Sequence, residues 1–180
     1  MLIALTGLTG SGKSTAIEHW VGSGIGKCYY AGAVIHDEVV ARGLAATPDN
    51  ERIVRQSLRE KHGMAVVASR AAPKLAKCCD HDNFFLDAIY NVEELECYRQ
   101  HLGKNLKLIS ISAKPEVRYE RLAVRQDRPI SSDKAKARDD YEINKLDIGS
   151  VMSEADLECI NEASLLEFKQ SLDILIAKIL

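Results

Sequence analysis

Gly7-Leu8-Thr9-Gly10-Ser11-Gly12-Lys13-Ser14-Thr15 matches G-x-x-x-x-G-K-[ST] at every fixed position. An apolar stretch, Leu2 to Thr6, precedes it and reads as a strand. A helical pattern follows from about Lys13 to Gly22. Each residue type has a physical role. The glycines let successive backbone N–H groups turn inward around a phosphate, and the helix begun at Lys13 adds the positive end of its dipole. Lys13 supplies a mobile cation toward the β- and γ-phosphates, and Ser14 a hydroxyl for Mg²⁺. The expected phosphate contacts are Gly7, Thr9, Gly10, Ser11, Gly12, Lys13, Ser14 and Thr15. A glycine turn that binds nothing has no need of Lys followed by Ser at the start of the helix.

The rest of the chain must supply a scaffold for this loop. Its 180 residues suit a single domain, and 46% hydrophobic with 28% charged residues is a globular balance. The formal net charge of -2 gives no overall field that draws the protein onto nucleic acid or an anionic membrane. There is no run of about 18 apolar residues to span a bilayer. Five scattered cysteines without C-x-x-C spacing fit a reducing, cytoplasmic setting better than a disulfide framework. Cys78-Cys79-Asp80-His81 lacks a second ligand pair at zinc spacing and reads as a helix end.

Short apolar runs alternate with longer helical patterns. Strands are expected at Lys27 to Tyr30, Asn83 to Leu86, Lys107 to Ser112 and Leu157 to Ile160. Helices are expected from Ile35 to Leu44, from a cap at Asp49 or Asn50 to Lys61, and from Met64 to Lys77 with an interruption near Pro73. Further helices fall at Val92 to His101, Pro115 to Arg125, from a cap at Asp133 to Asn144, and Ser164 to Leu180. Such alternation gives an α/β domain with a mostly parallel sheet. The helical stretch 35–77 is longer than a crossover needs and is the candidate acceptor-binding region.

Several side chains join the loop as candidates. Asp87 ends the apolar run Phe84-Phe85-Leu86, where a carboxylate faces the loop and holds Mg²⁺ with Ser14. Arg125 and Arg128 flank Gln126-Asp127 at a Pro/Ser loop, suited to neutralising charge on a transferring phosphoryl. Of Arg118 and Arg121, one reads as part of a solvated helix face that pairs with Glu116 or Glu120, and Arg52, Arg55 and Arg59 read as the outer side of a surface helix. His36, Asp37, Arg42 and Arg70 lie in the helical insertion, where an arginine grips an acceptor anion and Asp37 orients a hydroxyl. Asn144-Lys145-Leu146-Asp147 fits the N-K-x-D guanine reader. It follows a charged helical stretch and not a buried strand, which counts against GTP.

From the loop onward, the order of Arg42-Gly43-Leu44, Val67-Ala68-Ser69-Arg70, Arg138-Asp139 with Glu142, and Asn161-Glu162-Ala163-Ser164 resembles an archaeal-type family of P-loop kinase-like ATPases. That family is related to dephospho-coenzyme A kinase and the nucleoside-monophosphate kinases. The resemblance implies a P-loop NTPase three-layer α/β/α sandwich with a five-stranded parallel sheet, a helical acceptor-binding insertion at 35–77 and a lid at 125–136. It also implies that Asn161 and Ala163 lie near the adenine, favouring ATP. The family commonly has Gly-Asp at Gly32-Ala33 and Asp-Gly-x-Arg at Asp87-Ala88-Ile89-Tyr90, so His36, Asp37 or Tyr90 is left to serve the acceptor. The expected function is an ATP- and Mg²⁺-dependent kinase acting on a small nucleotide-like acceptor. The alternative is an ATPase or ATP-binding regulatory module. Oligomeric state is not legible.

Overall fold

The computed structural model describes residues 1–79, 81–126 and 129–180. Five strands form one sheet: β1 (Leu2–Thr6), β2 (Lys27–Tyr29), β3 (Phe84–Asp87), β4 (Leu106–Ser112) and β5 (Leu157–Ile160). They lie in the order β2-β3-β1-β4-β5, and every pairing is parallel. A parallel sheet is covered on both faces, which is why its central strand is a continuous apolar run. All five residues of β1 are buried.

Strand alternation divides that run between two cores. Leu2 and Ala4 pack with Ala68, Ala71, Ala72 and Leu75 of α4 (Val66–Cys78) and with Leu95, Tyr98 and Leu102 of α5 (Val92–Leu102). Ile3 and Leu5 pack against α1 (Lys13–Gly22) and α9 (Leu165–Ile176), through Ala16, Ile17, Trp20, Phe168 and Leu172. Trp20 stacks on Phe85 at 5.1 Å between centroids, and its indole N–H donates to the Leu172 carbonyl at 3.3 Å. The result is the expected α/β/α sandwich of a P-loop NTPase.

Between β2 and β3 the chain inserts α2 (Ala33–Ala41), α3 (Pro48–His62) and α4. Ile35 and Val39 of α2 meet Val54 and Leu58 of α3 and Val66 of α4 in a small core of their own. Between β4 and β5 lie α6 (Pro115–Ala123), α7 (Ser132–Asn144) and the short α8 (Ile148–Ser153).

Several boundaries differ from the sequence expectation. The α3 cap is Thr47, whose hydroxyl accepts from Asn50 N at 3.3 Å, with Pro48 in the first turn; Asp49 and Asn50 are already helical. Ser131 and not Asp133 precedes α7. α4 starts at Val66 and runs unbroken through Pro73. α6 stops at Ala123, which leaves Arg125 beyond the helix. α9 opens on a Ser164–Glu167 capping box and ends at Ile176, short of Leu180. No described helix is long and apolar enough to cross a membrane.

Candidate active site

The loop leaves β1 in the middle of the sheet and enters α1 at Lys13. Gly7 (φ 134°) and Gly12 (φ 111°) occupy conformations that L side chains avoid. Space forbids a side chain as well: a Cβ on Gly7 would lie 2.1 Å from the Ile111 carbonyl oxygen, and one on Gly12 2.3 Å from Asn161 Nδ2. Only glycine therefore fits at these two points of the loop.

Lys13 Nζ donates to the Gly7 and Leu8 carbonyls at 2.6 and 3.2 Å, so the ammonium bridges its own loop. Burial lowers its pKa, and the carboxylates of Asp87 and Glu142 oppose that shift. Ser14 Oγ donates to Asp87 Oδ2 at 3.1 Å. The register Leu5↔Asp87 sets that carboxylate at the end of β3, beside the loop. One hydroxyl and one carboxylate are the hard oxygen ligands Mg²⁺ takes alongside phosphate and water, so the pair fits the ion.

A cavity of about 390 Å³ opens over the loop. Thr9, Gly10, Gly12, Lys13, Ser14, Thr15, Asp87, Arg125 and Asn161 all line it, as do Arg121, Leu165 and Phe168. Asn161 leaves β5, and its Nδ2 donates to the Ser11 carbonyl at 2.8 Å. Arg121 in turn donates to Asn161 O at 3.0 Å and Oδ1 at 3.3 Å. Ala163 is exposed and outside the cavity lining; Leu165 and Phe168 provide the apolar wall. Arg128, the other arginine expected at the transferring phosphoryl, lies outside the described residues.

Neither Arg118 nor Arg121 pairs with Glu116 or Glu120, the pairing expected of one of them. Arg118 is 1% exposed, forks onto both oxygens of Asp139 at 2.9 and 2.6 Å, and reaches the Thr9 carbonyl at 2.9 Å. It clamps α6, α7 and the loop together.

A second, larger cavity of about 720 Å³ adjoins the first, with Asp87 and Tyr90 lining both. At the junction, Glu142 of α7 accepts from Thr9 Oγ1 at 2.9 Å, from Thr9 N at 3.3 Å and from Arg138 Nε at 2.8 Å. Against the effect of burial, the Tyr90 side chain and the Glu142 carboxylate both raise the Arg138 pKa. Burial, then the charges of Glu142 and Asp87, push the Tyr90 hydroxyl up to about 12, so it is a neutral donor near pH 7. Deeper, Arg59 and Glu94 form a buried ion pair at 3.0 Å, and Glu94 also accepts from Tyr90 N at 3.1 Å. Burial raises the Glu94 pKa against the pull of Arg59.

Of the acceptor candidates, Tyr90 alone lines this cavity. His36 and Asp37 are on the exposed side of α2. Arg42 and Arg70 converge on Glu38, at 3.0 and 3.1 Å, and Arg42 also reaches Ser57 Oγ at 3.3 Å. The sequence reading missed the residues that do line the cavity: Arg52, Arg55 and Arg59 of α3, Glu94 of α5, and Arg138 and Glu142 of α7. Their signal was the i, i+3, i+7 spacing on α3, opposite Val54 and Leu58. Asn144 ends α7, and its amide bonds the Asp140 carbonyl at 2.9 Å, so N-K-x-D sits at a helix end and not after a strand.

The model of the AAA domain family matches residues 3–144. A UPF0200 protein of Hyperthermus butylicus is 32% identical over 181 residues, covering 99% of this chain and 95% of the relative. The chain belongs to both families. Among solved structures, shikimate kinase from Bacteroides thetaiotaomicron superposes with a TM-score of 0.62 at 14% identity, covering 99% of this chain and 98% of the other. A gluconokinase from Sinorhizobium meliloti 1021 gives 0.61 at 14%, with 98% and 91% covered. At that identity the likeness is one of fold. The UPF0200 relatives extend over the whole chain, whereas the AAA match ends before β5 and so leaves out Asn161.

Proposed function

We propose that this UPF0200 protein is an ATP-dependent phosphotransferase that moves the γ-phosphoryl to a small nucleotide-like acceptor of nucleoside-monophosphate or dephospho-coenzyme A type. The observation that carries the reading is the meeting of two cavities at Asp87 and Tyr90, one built on the phosphate loop and the other on the helical insertion. A hydrolase needs space for water at that point, whereas a transferase needs a second chamber.

ATP fits the first cavity with its phosphates in the loop amides and its base toward Asn161, Leu165 and Phe168. The loop amides and Lys13 hold the phosphates in line, and Arg121 and Arg125 add positive charge along the same wall. Mg²⁺ would be held by Ser14 and Asp87 and would supply charge neutralisation between the phosphates. Segment 125–136 acts as the lid, and Arg42 and Arg70 with His36 and Asp37 form the outer edge of the acceptor region.

A second reading is an ATPase or ATP-binding regulatory module without a small-molecule acceptor. The AAA domain match favours it, as does the methyl group of Ala33 at the start of α2, where the resembling kinases carry a carboxylate. ADP formation from Mg-ATP, measured with and without dephospho-coenzyme A and the nucleoside monophosphates, separates the two. Acceptor-stimulated ADP release supports the transferase. A rate indifferent to every acceptor supports the ATPase.

A further inference from the structure

The second cavity has an uneven distribution of charge. At the end where it meets the phosphate loop, each ionic group is already engaged. Arg138 is bonded to Glu142, Lys13 to its own loop, and Asp87 to Ser14. One turn deeper, Arg59 is committed to Glu94. The uncommitted cations lie further off. Arg55, half-buried in the cavity wall, has no ion pair or hydrogen bond among the described residues, and Arg52 has only Asp49 at 3.9 Å.

All three arginines share one face of α3, whose opposite face is held by Val54 and Leu58. Helix geometry therefore orders them. Arg59 is anchored beside Tyr90 through Glu94, and at 1.5 Å per residue Arg55 and Arg52 follow about 6 and 10 Å further along. Tyr30 and Tyr141, both well exposed, also line this cavity and offer ring faces to a planar group.

An anionic acceptor group at the junction would meet the carboxylates of Asp87 and Glu142, and on the second cavity's side no uncommitted cation among the described residues lines that end. A neutral hydroxyl meets the opposite situation. It gains a nearby carboxylate to take its proton, while the anion that fixes the molecule rests on Arg55 and Arg52. Glu142 suits the proton's destination: Oε1 takes the Thr9 hydroxyl and Arg138, whereas Oε2 carries only the long bond from Thr9 N among the described residues.

We propose that the acceptor attacks through a neutral hydroxyl and is anchored by an anionic group held some distance away by Arg55 and Arg52. This rests on the phosphotransfer reading and narrows it, excluding attack through a phosphate. In the step, the hydroxyl oxygen bonds to the γ-phosphorus as the bond from that phosphorus to the β–γ bridging oxygen breaks. ADP departs with the electron pair, and the hydroxyl proton passes to the Glu142 carboxylate.

The test uses the full chain with γ-labelled ATP and Mg²⁺. Dephospho-coenzyme A and glycerol 3-phosphate, whose free hydroxyls are ordinary alcohols, are compared with adenosine and cytidine 5′-monophosphates. Each labelled product is then boiled in dilute acid, which spares phosphate monoesters of ordinary alcohols and hydrolyses phosphoanhydrides. Acid-stable label is expected. Acid-labile label overturns this inference and leaves the phosphotransferase standing, whereas no acceptor-bound label removes both. Arg55→Gln and Arg52→Gln should raise the acceptor KM about tenfold or more, with kcat within about threefold and the KM for ATP unchanged. Arg55→Lys should recover part of the loss. An acceptor KM unmoved in both glutamine variants, with native circular dichroism, overturns the anchoring role.

Discussion

At the scale of single residues, the loop is the part of the site that the sequence made most legible. Its amides and cation come from one short segment, so spacing alone determines which groups converge. Lys13 is the sharpest point of that account. Lys13→Ala should lower ATP turnover by about a hundredfold or more, the usual cost of removing a group aimed at transition-state charge; steady-state ADP release would measure it, and unchanged turnover would mean the site is elsewhere. Glu142 shows where such reading stops. It lies 133 residues from Thr9, and nothing in a charged helical stretch signals which one of its carboxylates turns inward. Tyr90 yields a prediction in pH. An unfolded tyrosine ionises near pH 10, whereas Tyr90 is pushed up to about 12. Its contribution to stability is therefore complete below pH 10 and is lost as pH rises toward 12. Chemical denaturation across that window should show the fall, and Tyr90→Phe should make it shallower, the remainder coming from Tyr98 and the other tyrosines that burial pushes up.

At the scale of elements, periodicity located most helices and strands but not what their polar faces meet. The apolar stripe of α3 was legible from Ile53, Val54 and Leu58, and so was the row of arginines opposite. An arginine row facing solvent and one facing a cavity have the same sequence pattern, and only the packing of α3 over α2 and α4 separates them. Caps were read less well, because several polar residues near a helix start compete for the position and tertiary context selects one. The α5 cap is Asn91, 1% exposed, whose Oδ1 accepts from Glu94 N at 2.8 Å. Asn91→Ala should cost about 1 kcal/mol, read as a lower denaturation midpoint. The Arg118–Asp139 clamp joining α6 to α7 is a stronger constraint. Arg118→Ala strands a buried carboxylate and should destabilise the protein by about 3–5 kcal/mol. A loss below about 1 kcal/mol in urea unfolding would show the pair to be dispensable.

At the scale of the whole molecule, the parallel sheet was legible because its strands are short apolar runs and the helices between them are longer. It places the phosphate loop at the end of its central strand, with the helical insertion to one side and β5 with α9 to the other. The proposed function rests on that placement, since the cavity over the loop and the second cavity share Asp87 and Tyr90, where β3 ends. The most direct measurement is to follow the γ-phosphoryl itself. With γ-labelled ATP, Mg²⁺ and the acceptor panel, the account predicts label in an acceptor product with the native chain and none with Lys13→Ala. Label that appears only as inorganic phosphate, at a rate no acceptor changes, would contradict it.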